Sequence, residues 1–81
     1  MNRDEAKAII REEILRLAPE ADFADIADGS DLRDSLDLDS MDIFNLVIAL
    51  SRRLEVDIPD ADAGRLVTFG GGADYVVSRC P

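Results

Sequence analysis

One hydroxyl set among carboxylates marks the place where this chain could take part in chemistry. In Leu36-Asp37-Leu38-Asp39-Ser40-Met41-Asp42-Ile43-Phe44 a serine stands between aspartates, where an apolar helical pattern begins. A serine becomes a nucleophile when a general base takes its proton, and the chain contains no histidine. Carboxylates and Lys7 are the remaining candidates, and a solvated aspartate is a poor base for a hydroxyl. Self-contained Ser-His catalysis is excluded, and no catalytic residue is expected. As the substrate of another enzyme, Ser40 is well placed. At the first position of a helix, free backbone N–H groups and the helix dipole favour an attached phosphate. The aspartates do not spell a calcium loop. Counted from Asp37, the fifth position is Met41, and the sixth, where an EF-hand needs glycine, is Asp42. No metal site is expected.

The elements that must position Ser40 are helical. Residues 3–18 read as a helix, with Ala6, Ile10, Ile14 and Leu17 on one face and Ile9 beside them. Asn2 and Glu5 have capping-box spacing, Glu12 and Arg16 have the favourable i, i+4 order, and Pro19 ends the helix. Residues 19–38 are too rich in Asp, Gly and Ser for a long helix. Phe23, Ile26, Leu32, Leu36 and Leu38 recur through them, so this connection is expected to lie against the core, as long ordered functional loops do. Ser40–Leu54 is the second strong helix, with Asp39 as N-cap and Asp42 in the first turn. After Val56-Asp57-Ile58-Pro59, Asp60 is expected to cap a brief turn, DADAGRL. Thr68 is expected to cap a last helix reaching about Arg79, with Phe69, Ala73, Val76 and Val77 at helical spacing. No alternating strand pattern competes. The fold class is all-α.

At about 100° per residue, the apolar residues of the second helix form two groups. Ile43, Leu46, Val47, Leu50 and Leu54 share an arc wide enough for a core face. Met41, Phe44 and Ile48 fall nearly opposite, flanked by Asn45, Ser51 and Arg52. This second stripe either packs under the acidic loop or forms an exposed docking strip. Met and Phe exposed in a row are typical of protein-binding surfaces.

Composition sets the frame. Eighty-one residues, 47% of them hydrophobic, make one small domain over residues 1–81 with a mainly aliphatic core. The net charge is −9, and between Glu20 and Asp42 lie nine acids and one base, Arg33. The acidity belongs to the approach to Ser40. Such a field disfavours nucleic acid and speeds encounter with basic protein surfaces. Cys80 has no partner in the chain, which excludes an internal disulfide and suits a reducing compartment. The N-terminus lacks the apolar run of a signal peptide, and IFNLVIAL is much too short to span a bilayer. A cytoplasmic monomer without membrane insertion is expected.

Leu38-Asp39-Ser40-Met41-Asp42 resembles the L-D-S-L/M-D/E signature of acyl carrier proteins. The resemblance runs over nearly the whole chain, from the leading helix through the acidic loop to Asp57-Ile58-Pro59-Asp60 and Thr68…Ala73-Asp74-Tyr75-Val76. It implies a small bundle of three longer helices and one short one. It also implies 4′-phosphopantetheine attached covalently to Ser40 by a phosphopantetheinyl transferase using coenzyme A. Asp39, Met41 and Asp42 would be read by the transferase, and Met41, Phe44 and Ile48 match the family's partner-contacting strip. Further partners implied are an acyl or aminoacyl ligase or synthetase and acyltransferase or synthase enzymes.

Three departures point to a specialised carrier of a dedicated biosynthetic or lipid-modifying pathway rather than the general fatty-acid type. Asn45, Ser51, Arg52 and Arg53 stand where the family helix usually carries glutamates. Asp37 stands where glycine is more frequent. Gly70-Gly71-Gly72 fills the first turn of the last helix, where each glycine costs about 1 kcal/mol relative to alanine. That helix is expected to be the least stable, and alanine at positions 71 and 72 to stabilise it. An aminoacyl or peptidyl carrier using the same arm, and an unmodified acidic helical adaptor, are the alternative readings.

Overall fold

In a computed structural model that describes residues 1–80, the chain folds as four packed helical segments and one short helix. Helix α1 spans Arg3–Leu17, α2 Leu32–Ser35 and α3 Ser40–Leu54. A 3₁₀ segment, Asp60–Leu66, precedes α4, Phe69–Arg79. Among the described residues there is no strand, only an isolated antiparallel bridge between Asp31 and Thr68.

The core is the one that the helical spacing predicts, with additions. Ala6, Ile10 and Ile14 of α1 meet Ile43, Leu46, Val47 and Leu50 of α3 and Phe69, Ala73 and Val76 of α4 in one buried cluster. Leu54 and Val77 pack partly buried against it. Leu17 is a correction: it is 38% exposed, because α1 ends there and Ala18 takes the inner place. Tyr75 joins the interior because its polar end is satisfied there. Its hydroxyl donates to Asp62 Oδ2 at 2.7 Å and accepts from Arg79 Nη1 at 3.2 Å. Burial, then the Asp62 carboxylate, pushes the phenol above its ordinary range.

Side-chain caps follow the expected pattern in part. Asn2 accepts from the Glu5 N–H at 2.8 Å, but Glu5 returns the bond to the Asn2 side chain, not to its backbone. Thr68 caps α4, accepting from the Gly71 N–H at 3.1 Å. Asp60 does not cap the turn after Pro59. It already lies inside the 3₁₀ segment, whose extended N-cap residue is Pro59. Glu12 and Arg16 do not pair either. Arg16 turns to Glu13 at 3.2 Å, and Glu12 pairs with Arg53 at 2.7 Å. Glu13 is buried on the α1 inner face, where Arg53 reaches it from α3 at 2.9 Å.

The acidic connection is ordered by α4. Leu32 N–H donates to Val67 O at 2.8 Å, Phe69 N–H to Ser30 O at 3.3 Å and Gly70 N–H to Asp28 O at 2.8 Å. Leu32, Leu36 and Leu38 are buried, and Phe23 and Ile26 pack against the core, as expected for this segment. Its short helix α2 was not expected. The signal was present: Asp31 accepts from the Arg33 N–H at 2.9 Å, with Leu32 and Leu36 one turn apart beyond it.

The glycines of α4 sit at this seam, and at Gly71 the seam overturns the expected gain from alanine. A Cβ on Gly70 would stand 2.7 Å from Asp28 Cβ and 3.0 Å from Asp28 O. One on Gly71 would run into Thr68 Oγ1, the capping atom. At Gly72 the neighbours are the side-chain ends of Ile10 and Leu66 at 3.3 and 3.4 Å, which have more freedom to give. No glycine has a positive φ, so close approach is the constraint here. Overpacking costs about 1–3 kcal/mol, against about 1 kcal/mol gained in helix propensity. Gly70→Ala is therefore expected to lower the thermal midpoint, and an unchanged or raised midpoint would refute the close seat.

The same seam carries a charge network. Arg3 Nη1 donates to Asp28 Oδ2 and Arg3 Nε to Asp74 Oδ1, both at 2.6 Å, and Lys7 pairs with the other Asp28 oxygen. Lys7 and then Arg3 hold the Asp28 carboxyl below its ordinary range, and Arg3 does the same to Asp74. A depressed folded pKa contributes stability above the unfolded value, about pH 4. That contribution disappears as pH falls through the folded values. The stability difference between the native chain and Asp28→Asn should therefore shrink on acidification from about pH 5 to about pH 3. A constant difference in urea titrations across that range would show that the network contributes nothing.

Candidate functional site

The start of α3 is built by its own aspartates. Asp39 Oδ1 accepts from the Asp42 N–H at 2.9 Å, and Asp42 Oδ2 accepts from the Asp39 N–H at 3.1 Å. This reciprocal box satisfies two otherwise free donors and locks the first turn. Two of the three acids around Ser40 are thus structural as well as charged. The third, Asp37, makes the turn that precedes them, with φ 56°. That is the left-handed region, which glycine enters freely and aspartate tolerates. It lets Leu38 fold inward, buried, with its N–H donating to Arg33 O at 2.9 Å. Asp37→Gly should relieve this backbone cost and raise stability by a few tenths to about 1 kcal/mol, measurable by urea unfolding. A loss of stability would mean that the Asp37 side chain is needed.

Between the buried Leu38 and Ile43, the chain leaves Asp39, Ser40 and Met41 exposed. Ser40 is the first residue of α3 and lies on the rim of an open cleft of about 170 Å³. The cleft is lined also by Arg33, Ile43, Phe44, Ala63, Gly64 and Val67. Met41, Phe44 and Ile48 are 64%, 44% and 49% exposed, so the second stripe is not packed under the acidic loop. The side of α3 opposite the core is an apolar strip that begins beside the serine. No group of three His, Cys, Asp or Glu side chains able to hold a metal ion occurs among the described residues.

At the far end of the strip the two arginines differ. Both are exposed and line a groove with Glu13, Arg16 and Ala49, but Arg53 is tied to Glu12 and Glu13. Sequence spacing places both at the helix end but does not show which is paired with α1. No described helix is long and apolar enough to cross a membrane.

What this arrangement can do chemically is present a hydroxyl. It supplies no histidine, and the nearest carboxylates, Asp39 and Asp42, accept backbone N–H groups. The donor set fits covalent attachment of a phosphodiester at an accessible helix N-terminus.

Comparison with known proteins identifies the family. The family model described as "Phosphopantetheine attachment site" matches residues 4–76. The acyl carrier protein of Campylobacter fetus subsp. fetus is 34% identical over 73 residues, 90% of this chain and 88% of that protein. The mitochondrial acyl carrier protein 3 of Arabidopsis thaliana is 29% identical over 69 residues, 85% of this chain and 53% of that protein. Among solved structures, the acyl carrier protein from Enterococcus faecalis is similar with a TM-score of 0.77 and 26% identity. That match covers 98% of this chain and 99% of the other.

Proposed function

Because the chain belongs to the acyl carrier protein family and contains its phosphopantetheine attachment site, we propose that Ser40 is the residue to which the 4′-phosphopantetheine arm is joined. The observation that carries this reading is the exposed Ser40 at the head of α3, beside the exposed strip of Met41, Phe44 and Ile48. When attached, the arm supplies a thiol on which acyl groups travel as thioesters. The protein's own share is to fix the root of the arm on a rigid helix and to present a surface to the enzymes that use it.

Ser40 has no base of its own, so the proton must be taken by a transferase. On this reading the chain is a substrate and carrier and not a catalyst, working as one unit over residues 1–81 and as a monomer in the cytoplasm. Asp39, Met41 and Asp42 lie around the serine, where a transferase must approach, and Phe44 and Ile48 extend the contact for acyl ligases, acyltransferases and synthases. Acidic residues about Ser40 favour basic docking patches on these partners. Arg52 at the other end of the strip disfavours a long basic patch, which supports a carrier dedicated to its own pathway over one serving general fatty-acid synthesis.

Intact-mass measurement after incubation with coenzyme A and a broad-specificity phosphopantetheinyl transferase tests the reading. A single phosphopantetheinyl increment is expected. No increment under conditions that modify another carrier would leave the unmodified adaptor as the better account.

A further inference from the structure

The stretch from Glu20 to Asp42 holds nine acids and one base, and that base shares a cleft with the proposed attachment serine. From this juxtaposition we propose that Arg33 is a positioning residue for the arm. Its guanidinium binds the phosphodiester on Ser40 and lays the root of the arm along the cleft, against Ile43, Ala63 and Val67. The inference rests on Ser40 as the attachment point and adds the orientation of what is attached.

The argument begins with charge. A phosphodiester on Ser40 brings a negative charge beside Asp37, Asp39 and Asp42. The helix start favours it, but its own capping carboxylates oppose it. Among the cleft residues, Arg33 is the one that bears a charge. Its backbone is fixed in α2, where its N–H donates to the Asp31 side chain at 2.9 Å. The guanidinium already meets Asp31, through Nε at 3.3 Å and Nη2 at 3.1 Å. That pairing does not exhaust the group, because a guanidinium has five N–H donors in a fixed fork. Nη1 remains to bind a phosphate oxygen.

The cleft accounts for the rest. Ile43, Ala63 and Val67 give it an apolar lining, and Gly64 adds no side chain to it. The cleft is small and open, about 170 Å³. That room suits the first apolar part of the arm rather than a long acyl chain. Arg33 and apolar side chains in one cleft match an arm that begins with a phosphate and continues with carbon.

The test uses the intact chain, converted with coenzyme A and a broad-specificity transferase, as native protein and as Arg33→Ala, Arg33→Lys and Arg33→Glu. Intact mass confirms conversion of each. NMR then follows the phosphorus line width, the Arg33 Nε–H resonance, and contacts from the arm's geminal methyls to those of Ile43, Ala63 and Val67. In the modified native chain, the Arg33 resonance should shift and the methyl contacts should appear. Arg33→Ala and Arg33→Glu should lose the contacts and narrow the phosphorus line, while core methyl resonances of Leu46 and Leu50 stay in place. Arg33→Lys should keep part of the contact, since it retains the charge without the fork. A modified native arm that touches none of these methyls, or contacts that persist in Arg33→Ala, would overturn the proposal and leave the attachment reading intact. Failure of the native chain to gain the arm would overturn both.

Discussion

Ser40→Ala is expected to abolish phosphopantetheinylation completely, leaving the folded protein at its unmodified mass after treatment with coenzyme A and transferase. The loss should be total because the other serines are differently held. Ser30 accepts from the Ala27 N–H at 3.0 Å in the connection, and Ser51 lies partly buried in the last turn of α3. Ser78 donates to the Tyr75 carbonyl at 2.6 Å near the end of α4. Ser35 is exposed but closes the short helix α2, where no free N–H groups await a phosphate. The substitution should barely alter stability, because the cap of α3 belongs to Asp39 and Asp42. Retention of the mass increment in Ser40→Ala would assign the arm to another residue. Asp39→Ala separates structure from recognition. Losing the N-cap typically costs about 1 kcal/mol, so a much larger fall in modification rate than in stability would show that the transferase reads Asp39 directly.

How much of this site could be read along the chain depends on the range of the interactions that build it. The head of α3 is local. Asp39 and Asp42 are three positions apart, and their reciprocal bonds follow from spacing alone. The two faces of α3 are local too, since the 3.6-residue period separates Leu46 and Leu50 from Phe44 and Ile48 without knowledge of the neighbours. The departure at Asp37 could also be seen, and its left-handed backbone explains why glycine is the commoner choice there.

What stayed hidden depends on partners far away in the chain. Glu13 looks like an exposed helix acid until Arg53, 40 positions later, arrives to neutralise it on the inner face. Glu12 has good helical spacing to Arg16, yet it is drawn to the distant Arg53, and Arg16 is left to its helix neighbour Glu13. The three glycines looked like a weakness because propensity measures an isolated helix. In the fold, Gly70 and Gly71 make room for Asp28 and for the cap of Thr68. Arg33 has a similar history. Along the chain it is one base in an acidic run, and only the return of residues 63–67 creates the cleft that gives it a place beside Ser40.

The division of α3 into a core face and a docking face predicts opposite outcomes for two similar truncations. Leu50 is fully buried. Its replacement by alanine removes apolar contacts and leaves a cavity, at a cost of about 2–5 kcal/mol. A chain of this size is stabilised by only about 4–12 kcal/mol in all, at 0.05–0.15 kcal/mol per residue. Leu50→Ala should therefore shift the urea midpoint strongly and leave a measurable unfolded fraction if the native margin is near the lower figure. Phe44 is 44% exposed on the other face, with part of its ring against the cleft. Phe44→Ala should cost much less, since a half-exposed ring gives up less burial and its site can refill with water. Its effect should appear in transfer to partner enzymes, as a raised KM or slowed acylation of the phosphopantetheinylated chain with little change in the urea midpoint. If both variants lost similar stability, the ring would be part of the core and the strip could not be a docking surface. If Phe44→Ala changed neither stability nor transfer, recognition would have to rest on Met41, Ile48 and the charges about Ser40. The contrast between the two variants tests the central physical claim about α3: one helix side holds the bundle together, and the other is left apolar for a partner to cover.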